Sequence, residues 1–130
     1  MRPRYETSKN LSDEERLIRQ VLPLQTIHKL PIRYKFDFFI APNQVWEVKK
    51  RDAHYDTWMV SLGKVMAARS FEGCGVEAWA LIEMKRHCYM MRFAETAIAH
   101  IAWGGRKDRN DSQDMEPVVH YRIADMLEAT

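Results

Sequence analysis

Cysteine is nearly absent: Cys74 and Cys88 are the two in 130 residues. Two cannot build a disulfide framework, and neither stands at metal-ligand spacing. The five histidines, His28, His54, His87, His100 and His120, are scattered too. A structural zinc site needs four N/S ligands in paired short spacings, and no such set exists. No run of eighteen apolar residues occurs, so no membrane-spanning helix is expected. The opening stretch MRPRYETSKNLSDEERL lacks the apolar core of a secretory signal, and a cytoplasmic protein is the expectation. Charge of one sign is not in excess either. A net charge of +2 neither requires nor excludes a nucleic-acid partner, and only a local basic face would attract one.

What is present has the balance of one ordinary globular domain over residues 1–130, with 46% hydrophobic and 29% charged residues. That length is enough to bury a real core. Residues 1–11 are polar and expected to be flexible. Ser12 and Glu15 form an S-x-x-E capping box, which predicts a helix starting there. Leu17, Ile18, Val21 and Leu22 supply its apolar stripe, and Pro23 stops it. The stretch HKLPIR is expected to be an extended linker, because Pro31 biases Leu30 away from helical angles.

YKFDFFI (34–40) is rich in aromatics and predicts a strand. APNQ carries turn chemistry and VWEVKK predicts a second strand, so the two form an antiparallel hairpin. Strand alternation then places Lys35, Asp37 and Phe39 on one face, and Val45, Glu47 and Lys49 on one face of the next strand. Over 55–71 the period changes: Trp58, Leu62, Val65, Met66 and Arg69 fall near helical spacing. Asp56 or Thr57 would cap that helix and Gly73 end it. EAWALIEMK and HCYMMRFAE predict a further strand pair meeting at Arg86, and IAHIAW and VVHYRI two more strands. The four tryptophans, Trp46, Trp58, Trp79 and Trp103, are expected in the core. The order of elements predicts an α/β fold, a central mixed sheet flanked by helices.

Two acid-x-Lys triplets occur, Glu47-Val48-Lys49 and Glu83-Met84-Lys85, where chance alone gives about one in a chain of this composition. Context separates them. The first is preceded one hairpin back by Asp37 in an apolar strand and followed by a helix. The second has no such carboxylate before it. Two carboxylates on neighbouring strands suit Mg²⁺, which takes oxygen ligands and keeps several waters. A lysine on the same strand face can orient a water or meet charge on a phosphorane. That set is what phosphodiester hydrolysis needs.

Asp37, nine intervening residues and then EVK resemble the PD-(D/E)xK nuclease superfamily. KLPIRYKFDFFI, WEVKKR, YDTWMVSLGKVMAA and WGGRKDRNDSQDMEPVVH are similar to small phage-encoded members, of VRR-NUC or Holliday-resolvase type, over roughly residues 12–120. The resemblance implies a restriction-endonuclease-like core and a DNA endonuclease using Mg²⁺ or Mn²⁺ in the cytoplasm of an infected bacterium. It implies Asp37 and Glu47 as metal ligands, Lys49 as the catalytic lysine, and Glu15 or Glu14 from the first helix. Lys64 stands where the following helix often presents a basic or amide residue. No proline precedes Asp37, a departure from the pattern.

Lys50 and Arg51 directly follow the site and suit contacts to a phosphate backbone. Arg106 belongs to the charged loop 104–117, which is either a DNA-facing flap or an ordinary solvated loop. An edge-strand face with a cross-strand ion pair would account for Asp37, Glu47 and Lys49 without chemistry. The competing function is a catalytically silent nuclease fold that binds nucleic acid or a protein partner, as a phage counter-defence protein would. One domain carries one site, so a homodimer is the expected assembly for cutting both strands.

Overall fold

β3 (Gln44–Arg51) is buried on both faces, with Val45, Trp46, Glu47 and Val48 in succession hidden from solvent. It is the central strand of the computed structural model, which describes residues 8–105 and 115–129. Before it come α1 (Ser8–Val21), β1 (Ile27–Lys29) and β2 (Phe38–Ile40). After it come β4 (Thr57–Ser61), α2 (Leu62–Gly73), β5 (Glu77–Met84) and β6 (His87–Arg92). The chain continues with β7 (His100–Gly105), β8 (Met115–Arg122) and β9 (Leu127–Glu128). One sheet has the order β1-β2-β3-β5-β6-β9 and a second the order β4-β8-β7. Among the described residues only β3 and β5 run parallel. A parallel pair needs a crossover, and β4 with α2 supplies it.

Two apolar layers enclose the main sheet. Leu17 and Ile18 of α1 pack on Phe38, Ile40, Trp46, Val48 and Leu81. On the other face Val65 and Ala68 of α2, with Trp58, Val60, Val119 and Tyr121 of the second sheet, cover Val45, Ala80 and Ile82. Val45, Glu47 and Lys49 lie opposite Ala78, Ala80 and Ile82 in the β3–β5 register. Glu47 therefore projects into the α2 layer, where it is 1% exposed.

Several boundaries differ from the sequence expectations. α1 begins at Ser8 rather than Ser12, because SKNL contains no residue that interrupts a helix. β2 is three residues long, and residues 34–37 are bends, because the chain must turn back after Pro31. Residues 57–61 form a strand instead of the first turn of a helix. Trp58 and Val60 alternate inward and pair with Tyr121 and Val119 of β8. Ser61, not Asp56 or Thr57, caps α2, its Oγ accepting from the Lys64 N–H at 3.1 Å. Gly63 thus falls in the first helical turn. Trp46 and Trp58 are core and Trp79 is half-buried, but Trp103 on the edge strand β7 is 68% exposed. The strand pair meeting at Arg86 is present, with Lys85 and Arg86 at positive φ (48° and 72°) in a two-residue turn. That is the backbone twist that antiparallel hairpins favour.

Candidate active site

Asp37 sits where β2 stops and the chain peels away from β3. Its backbone stays bound on both sides: its N–H donates to Trp46 O at 3.0 Å, and its C=O accepts from Leu30 N at 2.8 Å. The next inward donor of β3, the Val48 N–H, has lost its strand partner there. Asp37 Oδ2 accepts from it at 2.9 Å. The carboxylate completes the ladder with its side chain, which explains why a short acidic residue stands just before an apolar strand.

Glu47 approaches Asp37 from the adjacent strand, close enough for each carboxyl to shift the other's titration. Burial pushes Glu47 up to about 8. The side-chain contact with Asp37 and that residue's charge add to the rise, against the pull of Lys49 and Lys64. For Asp37, burial also acts upward. The contact with Glu47 and the bond from the Val48 N–H, together with Lys49 and Lys64, outweigh it and hold Asp37 below its ordinary value. The two shifts run in opposite directions, so a proton on the pair favours Glu47 and the negative charge favours Asp37.

Two ammonium groups flank this pair. Lys49 Nζ is 3.8 Å from Glu47 Oε1, and its side chain is 43% exposed, so it reaches both the carboxyl and solvent. Lys64 comes from the first turn of α2, contacts Glu47 Oε2 and donates to the Lys35 carbonyl. Its ammonium stands 5.2 Å from the Phe36 ring centroid. No hydrogen bond is aligned on Glu47 Oε2, although Lys64 touches it as an ion. These groups open on a cleft of about 360 Å³, whose rim adds Lys29, Lys35 and Glu14.

The structure separates the two candidate acids of α1. Glu14 lines the cleft. Glu15 points elsewhere and pairs with Arg19 one helical turn on, Oε2 to Nε 3.3 Å. The signal that distinguishes them is helical phase: Glu14 precedes Leu17 and Ile18 by three and four residues, so it continues the buried stripe. Lys50 projects from the opposite face of β3 and pairs with Glu83 of the second triplet, Nζ to Oε1 3.6 Å. Lys85 of that triplet lies in the β5–β6 turn. Arg51 returns to the Glu47 face at the exposed end of β3, one NH donating to Lys50 O at 3.1 Å. Arg106 and most of its loop lie outside the described residues.

The donor set suits a hard divalent cation. Two carboxyls on adjoining strands supply oxygen only, one buried oxygen is held by an ammonium without an aligned hydrogen bond, and the mouth is open for waters. Mg²⁺ is held by one or two carboxylates plus waters and phosphate oxygens. Among the described residues no group of three or more His, Cys, Asp or Glu is gathered to hold an ion.

Comparison with known proteins agrees with this geometry. A family model described as "Phage putative PDDEXK endonuclease" matches residues 1–129. No curated protein sequence matches the chain. Among solved structures, Hjc of Archaeoglobus fulgidus, a Holliday junction resolvase from an archaeal hyperthermophile, is similar with a TM-score of 0.62 and 14% identity. The match covers 92% of this chain and 91% of that one. At that identity the likeness establishes the restriction-endonuclease-like fold.

Proposed function

The chain belongs to the phage PDDEXK endonuclease family, and from that premise we propose that it hydrolyses DNA phosphodiester bonds with Mg²⁺ or Mn²⁺ held by Asp37 and Glu47. The observation that supports this reading is the buried Asp37–Glu47 pair between two lysines at the floor of an open cleft. A bound divalent cation would polarise the phosphate and lower the pKa of a water. The chain's own residues do the rest. Asp37 is locked by the Val48 N–H, so its second oxygen faces a fixed direction. Lys49, half in solvent, orients the attacking water or meets the charge that grows on the phosphate oxygens. Lys64, which contacts Glu47 Oε2, is placed to turn to phosphate once a divalent cation takes that oxygen. Lys29 and Lys35 at the rim draw in the DNA backbone. Each chain carries one such site, so cutting both strands in one encounter would take a homodimer.

The test is cleavage of labelled duplex, nicked, branched and single-stranded DNA by the wild-type protein in Mg²⁺ or EDTA. Unaided hydrolysis is so slow that the site must lower the barrier by on the order of 20 kcal/mol. Asp37→Ala and Glu47→Ala are expected to abolish cleavage while DNA binding persists. Full activity without Glu47 would overturn the assignment. Binding without cleavage of any substrate would favour the silent nuclease fold.

A further inference from the structure

Three depressions lie end to end along the C-terminal half of β3. The cleft holding Asp37 and Glu47 shares Glu14 and Lys49 with a second, which is otherwise lined by Asp13, Val48, Lys50 and Arg51. The second shares Arg51 with a third, of about 430 Å³. Residues 47, 49 and 51 alternate onto one face of the strand, so Arg51 stands about 6.6 Å beyond Lys49. From Glu47 the distance to Arg51 is about 13 Å, roughly four base rises along one strand of a duplex at about 3.4 Å each.

The third depression differs from the other two in chemistry. Its walls include Tyr55 and Met59, 53% and 45% exposed, over buried Trp58 and Met84. An aromatic ring and a polarisable thioether offer stacking area to a flat ring. Its rim carries Arg51 toward the carboxylate cleft, and Asp56. A carboxylate repels phosphate but accepts from the exocyclic amine of adenine or cytosine, while a guanidinium suits the intervening phosphate. The volume lies in the range of pockets that enclose a ring system.

We propose that this depression receives an unstacked nucleobase a few nucleotides from the phosphate at Asp37 and Glu47, with Arg51 gripping the backbone between them. The substrate class follows from cost. Taking a base out of continuous duplex costs a few kcal/mol, and least where the base is already unpaired. The preferred DNA therefore has an unpaired base near the cut, as at a fork, flap or branch. This inference rests on the nuclease reading above.

The test uses forked DNA carrying 2-aminopurine in turn at each position flanking the junction, bound by the full chain in EDTA. Cleavage of the same forks is followed separately in Mg²⁺. One position should show a fluorescence change that its neighbours lack. Tyr55→Ala should abolish that change and Tyr55→Phe, which keeps the stacking ring, should preserve it. The ratio of fork to duplex affinity should fall roughly tenfold in Tyr55→Ala, in line with one lost base–aromatic stack, and also in Met59→Asp. Both side chains are substantially exposed, and unchanged melting curves will confirm folding. Failure to cut any DNA sinks the nuclease reading alone, since the fluorescence readout needs no cleavage. Cleavage with no position-specific signal, or an unchanged fork-to-duplex ratio in both variants, overturns the base pocket and leaves the nuclease standing.

Discussion

Replacing Glu47 by Gln removes a proton-binding site while keeping shape, and its effect on stability should depend on pH in a defined direction. The folded-state value of about 8 lies above the ordinary 4.5. Between those limits the folded protein holds one more proton than the unfolded chain. Stability from this group is thus fully present below pH 4.5, declines as pH rises, and is lost through pH 8. The slope is about 1.4 kcal/mol per pH unit, or on the order of 2–3 kcal/mol between pH 5.5 and 7.5. Asp37 contributes nothing to that slope: its value is lowered, so its stabilisation is present above about pH 4 and is lost only as pH falls through the lowered value. Urea unfolding followed by tryptophan fluorescence in EDTA at pH 5.5, 6.5 and 7.5 measures the difference. Glu47→Gln should gain on wild type by on the order of 2–3 kcal/mol over that range, about 10 °C in Tm for a chain this long. Mn²⁺ at pH 7.5 should raise wild-type stability by binding the deprotonated carboxylate, and do much less for the variant. Parallel pH curves for the two proteins would refute the protonated, buried Glu47.

The two triplets and the two acids of α1 give internal controls. Lys49→Ala should slow cleavage by roughly a hundredfold or more, the size expected for losing one transition-state donor, and Glu83→Ala and Lys85→Ala should leave turnover nearly intact; equal losses at both triplets would contradict the site. Glu14→Gln should change the metal dependence or rate of cleavage, whereas Glu15→Gln should cost only its exposed pair with Arg19, about 0.3–0.5 kcal/mol by thermal melt; the reverse ranking would place the helix in the wrong phase. Val48 N–H loses its acceptor in Asp37→Ala, so that variant should also be destabilised by about 1–3 kcal/mol in metal-free urea titrations, an effect that Asp37→Asn should largely spare.

Local pattern was sufficient for the heart of the molecule. A hairpin joins strands that are neighbours in the chain, and alternation alone put Val45, Glu47 and Lys49 on one face. The β5–β6 pair and the β7 and β8 strands were legible for the same reason. Position 64 was readable as helical, and so was the stripe Leu17, Ile18, Val21. Followed one turn back, that stripe reaches Glu14, a signal that the expectation of Glu15 passed over. Other features depend on contacts between distant segments. Residues 57–61 satisfy a helical period and a strand period alike, and pairing with Val118–Arg122 decided for the strand. Lys50 follows Lys49 directly, yet the parallel register with β5 turned it to Glu83. Trp103 has the chemistry of core and sits on an edge strand. The charge state of Glu47 is the clearest case. Its neighbours in sequence are Trp46, Val48 and Lys49, but its raised pKa comes first from burial in the α2 layer and then from Asp37. Residue order determined which acids and lysines share a strand face, because strand geometry is local. Only the closing of α2 and the second sheet over that face removed the water, and burial of that kind strengthens electrostatic interactions and raises a carboxyl's pKa.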